Sequence, residues 1–217
     1  MMNLAPFIDH TLLRFDATIE EFDTLCRDAV KYGFASVCVP PCVVKNINEK
    51  FKNQNLKIGS VIGFPCGYSS LKTKLSETSE LILNGVDELD FMINQVYLHS
   101  GLYTEVEEEL DILIARCRES DVKSKIIIEI GSLSDYQLSR ICEIINRLHP
   151  DYTKTSTGML KNGYVVNTND IVILRSKLEK HIKIKASGGI RTKEQVIDLI
   201  HFGAQRVGTS SALQIIQ

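Results

Sequence analysis

The chain has 217 residues, 44% of them hydrophobic and 24% charged, with a formal net charge of −2. That composition suits a globular domain with a full core, and lysines scattered along a near-neutral chain supply no basic field for nucleic acid. No apolar run approaches the ~18 residues of a membrane span, and the first nine residues lack a basic segment followed by an apolar one. The expected compartment is therefore the cytoplasm, with no nucleic-acid or membrane partner.

Short β-like runs alternate with helix-length amphipathic stretches from end to end, without a Pro/Gly/Ser-rich linker. In chain order the predicted pairs are strand 7–11 with helix 19–32, strand 34–39 with helix 41–54, strand 57–63 with helix 71–84, and strand 88–93 with helix 102–120. Strand 125–130 with helix 134–148, strand 151–156 with helix 168–180, strand 182–187 with helix 192–202, and strand 205–208 with a turn after Ser210 complete the series. Ser134-x-x-Gln137 and Thr192-x-x-Gln195 read as capping boxes, and Gly33, Gly85 and Gly203 sit where helix-terminating glycines belong. Eight βα units, averaging about 27 residues, predict an α/β protein: a compact (β/α)₈ TIM barrel forming a single domain over residues 1–217. A doubly wound open sheet is the alternative, but eight evenly spaced units are unusual for it.

Within the predicted strands, side chains of opposite character alternate. Leu89, Phe91 and Ile93 oppose Glu88, Asp90 and Met92; Ile182, Ile184 and Ala186 oppose Lys183, Lys185 and Ser187; Tyr152, Lys154 and Ser156 share one face. Taken singly, each strand also fits a half-buried antiparallel sheet with its polar face in solvent. In a βα alternation the helices cover the outer face, so the polar face lines the barrel interior, where idle charges are costly.

Two segments carry the chemistry: Lys154-Thr155-Ser156-Thr157-Gly158, and Lys183-Ile184-Lys185-Ala186-Ser187-Gly188-Gly189-Ile190-Arg191. Each places a lysine in a strand that opens into a loop rich in glycine and hydroxyls, which reads as an amine nucleophile, a cationic neighbour and a phosphate cradle. On adjacent parallel strands ~4.8 Å apart, the two ammonium groups compete for one space. A lysine must fall from ~10.4 to roughly 7–8 to attack a carbonyl at neutral pH, about 4 kcal/mol, of which a like charge ~6 Å away supplies roughly 3 kcal/mol. Imine chemistry also needs a proton carrier. Asp90 is the candidate, with Asp9 behind it as an anchor for Lys185 or a water, or else as a cap or turn residue. Gly188 and Gly189, together with Gly208, Ser210 and Ser211, precede the last helical segments and converge as an anion cradle that Gly158 closes.

Other features have plainer readings. The six cysteines lack Cys-x-x-Cys pairs and read as reduced thiols; Cys38 and Cys66 fit reactive thiols at the barrel mouth or, the commoner role, small buried hydrophobes. The five histidines show no ligand spacing such as His-x-x-x-His, so no metal is expected. Glu129, inside an apolar strand, is catalytic support or a buried paired carboxylate, and the acidic run 105–111 is a solvated helix face.

Nearly the whole chain resembles the deoxyribose-phosphate aldolase family. The resemblance is carried by Ile8-Asp9-His10-Thr11-Leu12, Ala35-Ser36-Val37-Cys38-Val39, Val61-Ile62-Gly63-Phe64-Pro65, Glu88-Leu89-Asp90, Ile127-Ile128-Glu129 and the two lysine segments, with Gly208-Thr209-Ser210-Ser211 last. It implies a class I aldolase on a TIM barrel in which Lys154 forms the Schiff base, Lys185 perturbs its pKa and Asp90 works in a proton relay. The implied reaction is reversible cleavage of 2-deoxy-D-ribose 5-phosphate into D-glyceraldehyde 3-phosphate and acetaldehyde. The implied partners are that phosphorylated sugar, acetaldehyde and a second copy in a homodimer. No cofactor is expected, because a protonated imine is itself the electron sink.

The chain departs from the family pattern at Met159, where some members carry a lysine near the phosphate and Lys161 is the available substitute, at Cys66, and at Ile130-Gly131-Ser132. A Schiff-base lyase using another aldehyde, or a silent phosphosugar-binding barrel, are the rival readings; a mere binder has no use for a depressed lysine.

Overall fold

The computed structural model describes residues 2–159 and 163–217. Its strands close into a parallel barrel in chain order: β1 (Ile8–Thr11), β2 (Ser36–Val39), β3 (Ile58–Ile62), β4 (Glu88–Met92), β5 (Lys123–Ile127), β6 (Tyr152–Lys154), β7 (Lys183–Ser187) and β8 (Arg206–Thr209). The helices outside it are α1 (Ile19–Tyr32), α2 (Val44–Phe51), α3 (Leu71–Leu83), α4 (Gln95–His99), α5 (Tyr103–Glu119), α6 (Asp135–Leu148), α7 (Thr168–Lys177), α8 (Lys193–His201) and α9 (Ala212–Ile216). Among the described residues, no helix is long and apolar enough to cross a membrane.

Local signals place most boundaries. Both expected capping boxes form, Ser134 with Gln137 and Thr192 with Gln195, and so do two more, Thr18 with Glu21 and Asn167 with Asp170. Gly33 ends α1 in the left-handed region at φ 70°. Where sequence and structure differ, a local conformation explains it. β5 starts two residues and ends three residues earlier than the apolar run suggests; its end is set by Glu129, which takes φ 55° before a 3-10 turn at Ile130–Ser132 and so lies beyond the strand. The predicted second helix is a 3-10 turn at Pro41–Val43 followed by α2, and the short α4, capped by Asn94, had no predicted counterpart.

The register carries one face around the whole barrel. Asp9 pairs with Ser36, Thr11 with Cys38, Cys38 with Gly59, Gly59 with Glu88 and Asp90 with Lys125. Ile127 pairs with Lys154, Lys154 with Lys185, Lys185 with Arg206, and Gly208 with Asp9. Because side chains alternate, this face is the interior, while Ile8, Val37, Ile58, Leu89, Phe91, Ile126, Ile184 and Val207 are buried on the other face under the helices. The main apolar core is thus the layer between sheet and helices.

One charge pair within that layer corrects the reading of α5 as a solvated acidic face. Glu109 is buried, and its Oε1 accepts from Lys74 Nζ of α3 at 2.6 Å; the same ammonium donates to the Met92 carbonyl at 2.8 Å. A buried pair contributes little net stability when intact, but removing one member strands the other. Glu109→Ala is expected to lower unfolding free energy by about 3–5 kcal/mol, with most recovered in a Lys74→Met/Glu109→Leu double variant, as measured by urea denaturation.

His10 lies on the outer face of β1, 6% exposed, with its ring 5.1 Å from that of Phe34 and Nδ1 without a partner. Burial pushes its pKa down to about 4, against a weaker opposing pull from Asp28. The unfolded chain therefore takes up this proton near pH ~6.5 while the folded chain resists it to about 4, so stability is present above ~6.5 and lost as pH falls through that window, by about 3 kcal/mol. His10→Gln should flatten the pH dependence of the urea midpoint between those two values and leave the carboxylate-driven loss at lower pH.

Candidate active site

The barrel interior holds a closed ring of alternating charge. Glu88 Oε2 lies 2.8 Å from Lys125 Nζ, which lies 2.8 Å from Asp90 Oδ1. Asp90 Oδ2 lies 2.7 Å from Lys185 Nζ, which lies 2.6 Å from Asp9 Oδ2. Asp9 Oδ1 lies 2.5 Å from Arg206, and the same guanidinium lies 3.0 Å from Glu88, closing the ring. Ser36 Oγ donates to Asp9 Oδ1 at 2.7 Å. When ionised, three carboxylates and three cations balance to zero, and each cation touches two carboxylates.

Lys154 is the cation outside this balance. Its Nζ donates to Asp90 Oδ2 at 2.8 Å, sharing that oxygen with Lys185, and it lies 5.9 Å from the centre of the Phe64 ring. It therefore has one shared carboxylate where the others have two. Lys154 and Lys185 face each other directly in the register and both are buried.

The carboxylates alter the simple account of two repelling lysines. Burial pushes Asp90 toward its neutral form, but Lys125, Lys154 and Lys185 overcome it and hold the carboxyl well below the usual range. Asp9 is likewise depressed, by Lys185 and Arg206 against burial. Burial also works against the charge on Lys185, yet Asp9 and Asp90 more than offset it, so this ammonium is held above its ordinary value. Asp90 thus sits between the amines as a carboxylate whose charged form they favour. Asp9 is a mid-strand interior residue, neither a cap nor a turn.

Above Lys154, at the carboxyl ends of the strands, a cavity of 320 Å³ is lined by Lys154, Thr157, Gly158, Met159, Gly188, Gly189, Arg191, Gly208 and Ser210, with Arg14 from the first loop. A larger cavity of 570 Å³ lies at the opposite end, against Lys57, Asp87, Lys123, Asp151 and Lys183 at the strand starts. Of the two, the smaller one is the cavity that Lys154 lines. Gly188 and Gly189 have φ of 111° and 72°, and a Cβ on Gly189 would come within 2.8 Å of Val165, so glycine is required there.

Several expected anion donors are already engaged. The Ser211 amide donates to Thr209 Oγ1 and the Gly158 amide to Ser156 Oγ, both at 2.9 Å, and Ser211 does not line the cavity. The amides of Arg191 and Thr192 donate to Gln195 Oε1 in the α8 capping box. Of the residues read as an anion cradle, Gly158, Gly188, Gly189, Gly208 and Ser210 line the cavity, with Arg191 at its rim. Lys161, the expected substitute for a lysine at position 159, lies outside the described residues.

Sequence reasoning placed Glu88 on the inward face but gave no role to it, to Lys125 or to Arg206 in the ring, nor to Ser36 as the donor to Asp9. The signal was available: each is polar and lies on the inward alternation of a predicted strand, as Lys154 does. Glu129 is a buried carboxylate whose Oε2 accepts from the Thr157 hydroxyl and, at 3.1 Å, from the Thr157 amide, so it holds the loop after β6. Cys38 is buried and burial pushes its thiol up, whereas Cys66 is exposed, contrary to its reading as a buried hydrophobe.

The model of the DeoC/LacD family of aldolases matches residues 4–215. A deoxyribose-phosphate aldolase of Caldicellulosiruptor saccharolyticus is 43% identical over 98% of this chain and 96% of that protein. One from Caldanaerobacter subterraneus subsp. tengcongensis is 38% identical over 100% of this chain and 94% of that protein. The tetrameric deoxyribose phosphate aldolase of Aeropyrum pernix superposes with a TM-score of 0.91 at 31% identity, over 98% of this chain and 89% of that one. With the match spanning all eight strands, and Lys154 and its charge ring inside it, the chain belongs to the DeoC/LacD family of aldolases.

Proposed function

We propose that this protein is a class I aldolase that reversibly cleaves 2-deoxy-D-ribose 5-phosphate into D-glyceraldehyde 3-phosphate and acetaldehyde. The observation that carries the reading is Lys154, a buried cation outside a self-neutralising ring, lining a cavity rich in glycines. With Lys154 as a free amine the buried cluster has zero net charge. Its nitrogen attacks the C1 aldehyde, and the resulting carbinolamine takes up a proton and loses water, giving an iminium that restores the positive charge. A proton leaves the C3 hydroxyl, the C2–C3 bond breaks and its electrons enter the iminium, releasing glyceraldehyde 3-phosphate and leaving an enamine. Protonation at C2 and hydrolysis release acetaldehyde and regenerate the amine.

Asp90 Oδ2, hydrogen bonded to both Lys154 and Lys185, is the nearest acceptor for the proton Lys154 sheds, and Lys185 is the adjoining donor. Asp9 fixes Lys185 from its other side. The phosphate is held by the main chain of Gly188 and Gly189, by Gly208 and Ser210, and by Arg191, with Gly158 closing one side. Six free cysteines accord with a reducing cytoplasmic setting. The tetrameric neighbour supports self-association in general, within which the homodimer is our specific reading.

Lys154→Arg keeps the positive charge but forms no imine, so turnover should drop by at least about 10³-fold. Borohydride reduction in acetaldehyde should place an ethyl adduct on Lys154 of the parent chain and none on the variant. Turnover in the variant, or an adduct on another lysine, would sink the assignment. Glu129→Ala, which frees Thr157, should raise KM for the phosphorylated sugar roughly 10–100-fold with a smaller change in kcat, while the acetaldehyde adduct at Lys154 still forms.

A further inference from the structure

The histidines carry no ligand motif in sequence, yet the fold brings two of them together with a carboxylate at the amino-terminal end of the barrel. His149, which ends α6, and His181, before β7, place Nδ1 and Nε2 2.9 Å apart. Glu179 Oε2 lies 3.4 Å from His181 Nδ1 and 3.9 Å from His149 Nδ1. One ligand atom from each residue fits within 4.8 Å of the others. We propose that His149, His181 and Glu179 form a binding site for a divalent transition-metal ion of the zinc type, separate from the Schiff-base site.

The distances suit such an ion. Zinc bound at ~2.0–2.1 Å to two nitrogens in tetrahedral geometry holds them about 3.3 Å apart, so the two rings need to open by a few tenths of an ångström. His149 Nδ1 and His181 Nε2 are the two nitrogen ligands, the Glu179 carboxylate swings in as the third, and water takes the fourth position. All three side chains are about half exposed, so this adjustment meets no packed core. Imidazole and carboxylate together select zinc, nickel or copper over calcium or magnesium.

The backbones that carry the ligands are held in place, which distinguishes the site from a chance meeting of surface side chains. His149 sits at φ 52° with its amide bonded to the Ile145 carbonyl. Asn146 reaches from α6 to the loop after α7, donating to the Lys177 carbonyl at 2.8 Å and accepting from the Glu179 amide at 3.0 Å. Arg175 clamps the same loop by donating to the carbonyls of Leu178, Glu179 and Ile182. The two supporting segments are therefore tied together before any ion arrives, which reduces the ordering cost of binding. A bound ion would staple the end of α6 to the lead-in of β7, the strand that bears Lys185.

The test uses the untagged full-length chain with the exposed Cys42 and Cys66 replaced by Ser, so that thiolates do not compete for zinc. After removal of metal by a chelator, titration with zinc chloride in a calorimeter should show one ion bound per chain and a thermal midpoint raised by a few degrees. His149→Ala and His181→Ala should each weaken binding by at least about tenfold, and Glu179→Gln by less. The His149→Ala/His181→Ala pair should abolish both the heat and the thermal shift. Absence of zinc binding by the parent chain, or equal binding by the double variant, would overturn the proposal.

Discussion

Asp90 is the constraint on which the rest of the interior depends. One buried carboxylate receives Lys125 on one oxygen and both Lys154 and Lys185 on the other. Removing ions from water costs several kcal/mol each even after relaxation, and it is offset only where opposite charges meet in good geometry. The ring through Glu88, Lys125, Asp90, Lys185, Asp9 and Arg206 meets that condition, since no member has fewer than two oppositely charged neighbours. Losing any one would leave its two partners under-compensated. Lys154 alone is attached without being enclosed.

The ring is a product of sheet geometry. In a closed parallel barrel every strand sends alternate side chains inward, and the observed register brings those positions opposite one another from β1 to β8. A barrel this narrow holds four long cationic side chains only where neighbouring positions give way. A Cβ at Gly208 would approach Lys185 Cε to 3.0 Å, so the small residue on β8 makes room for the long one on β7.

Much of this was legible in the residues. The alternation of β-like and helical runs gave the barrel, and polar residues at every second strand position pointed Lys154, Lys185 and Asp90 inward, where the structure brings them into contact. The family resemblance added the order of roles. What stayed hidden depended on partners distant in the chain. Nothing local shows that Glu109 meets Lys74 or that Arg206 closes on Asp9, 197 residues away. Nor does a run of three isoleucines reveal where a strand ends; that was decided by Glu129 entering the left-handed region and turning its carboxylate back to Thr157. The two histidines near Glu179 lie 32 residues apart, beyond the reach of any spacing rule. The amides of the cradle were over-assigned for a related reason, because capping and hydroxyl turns consume donors that sequence leaves countable but unplaced.

The spare positive charge on Lys154 connects recognition to chemistry in the proposed reaction. An anionic phosphosugar entering the cavity would meet Arg191 at the rim, where the glycine loops take the phosphate, leaving its neutral carbonyl end free to reach Lys154. Once the amine has attacked, the iminium has the same charge as the ammonium it replaces, and the surrounding ring needs no reorganisation. That charge then accepts the electrons of the breaking carbon–carbon bond. A stronger grip on Lys154, with two carboxylates of its own, would stabilise the ammonium, while removal of Asp90 would leave Lys125, Lys154 and Lys185 without their shared counterion. One shared carboxylate is the intermediate arrangement, which holds the nitrogen in place without enclosing it.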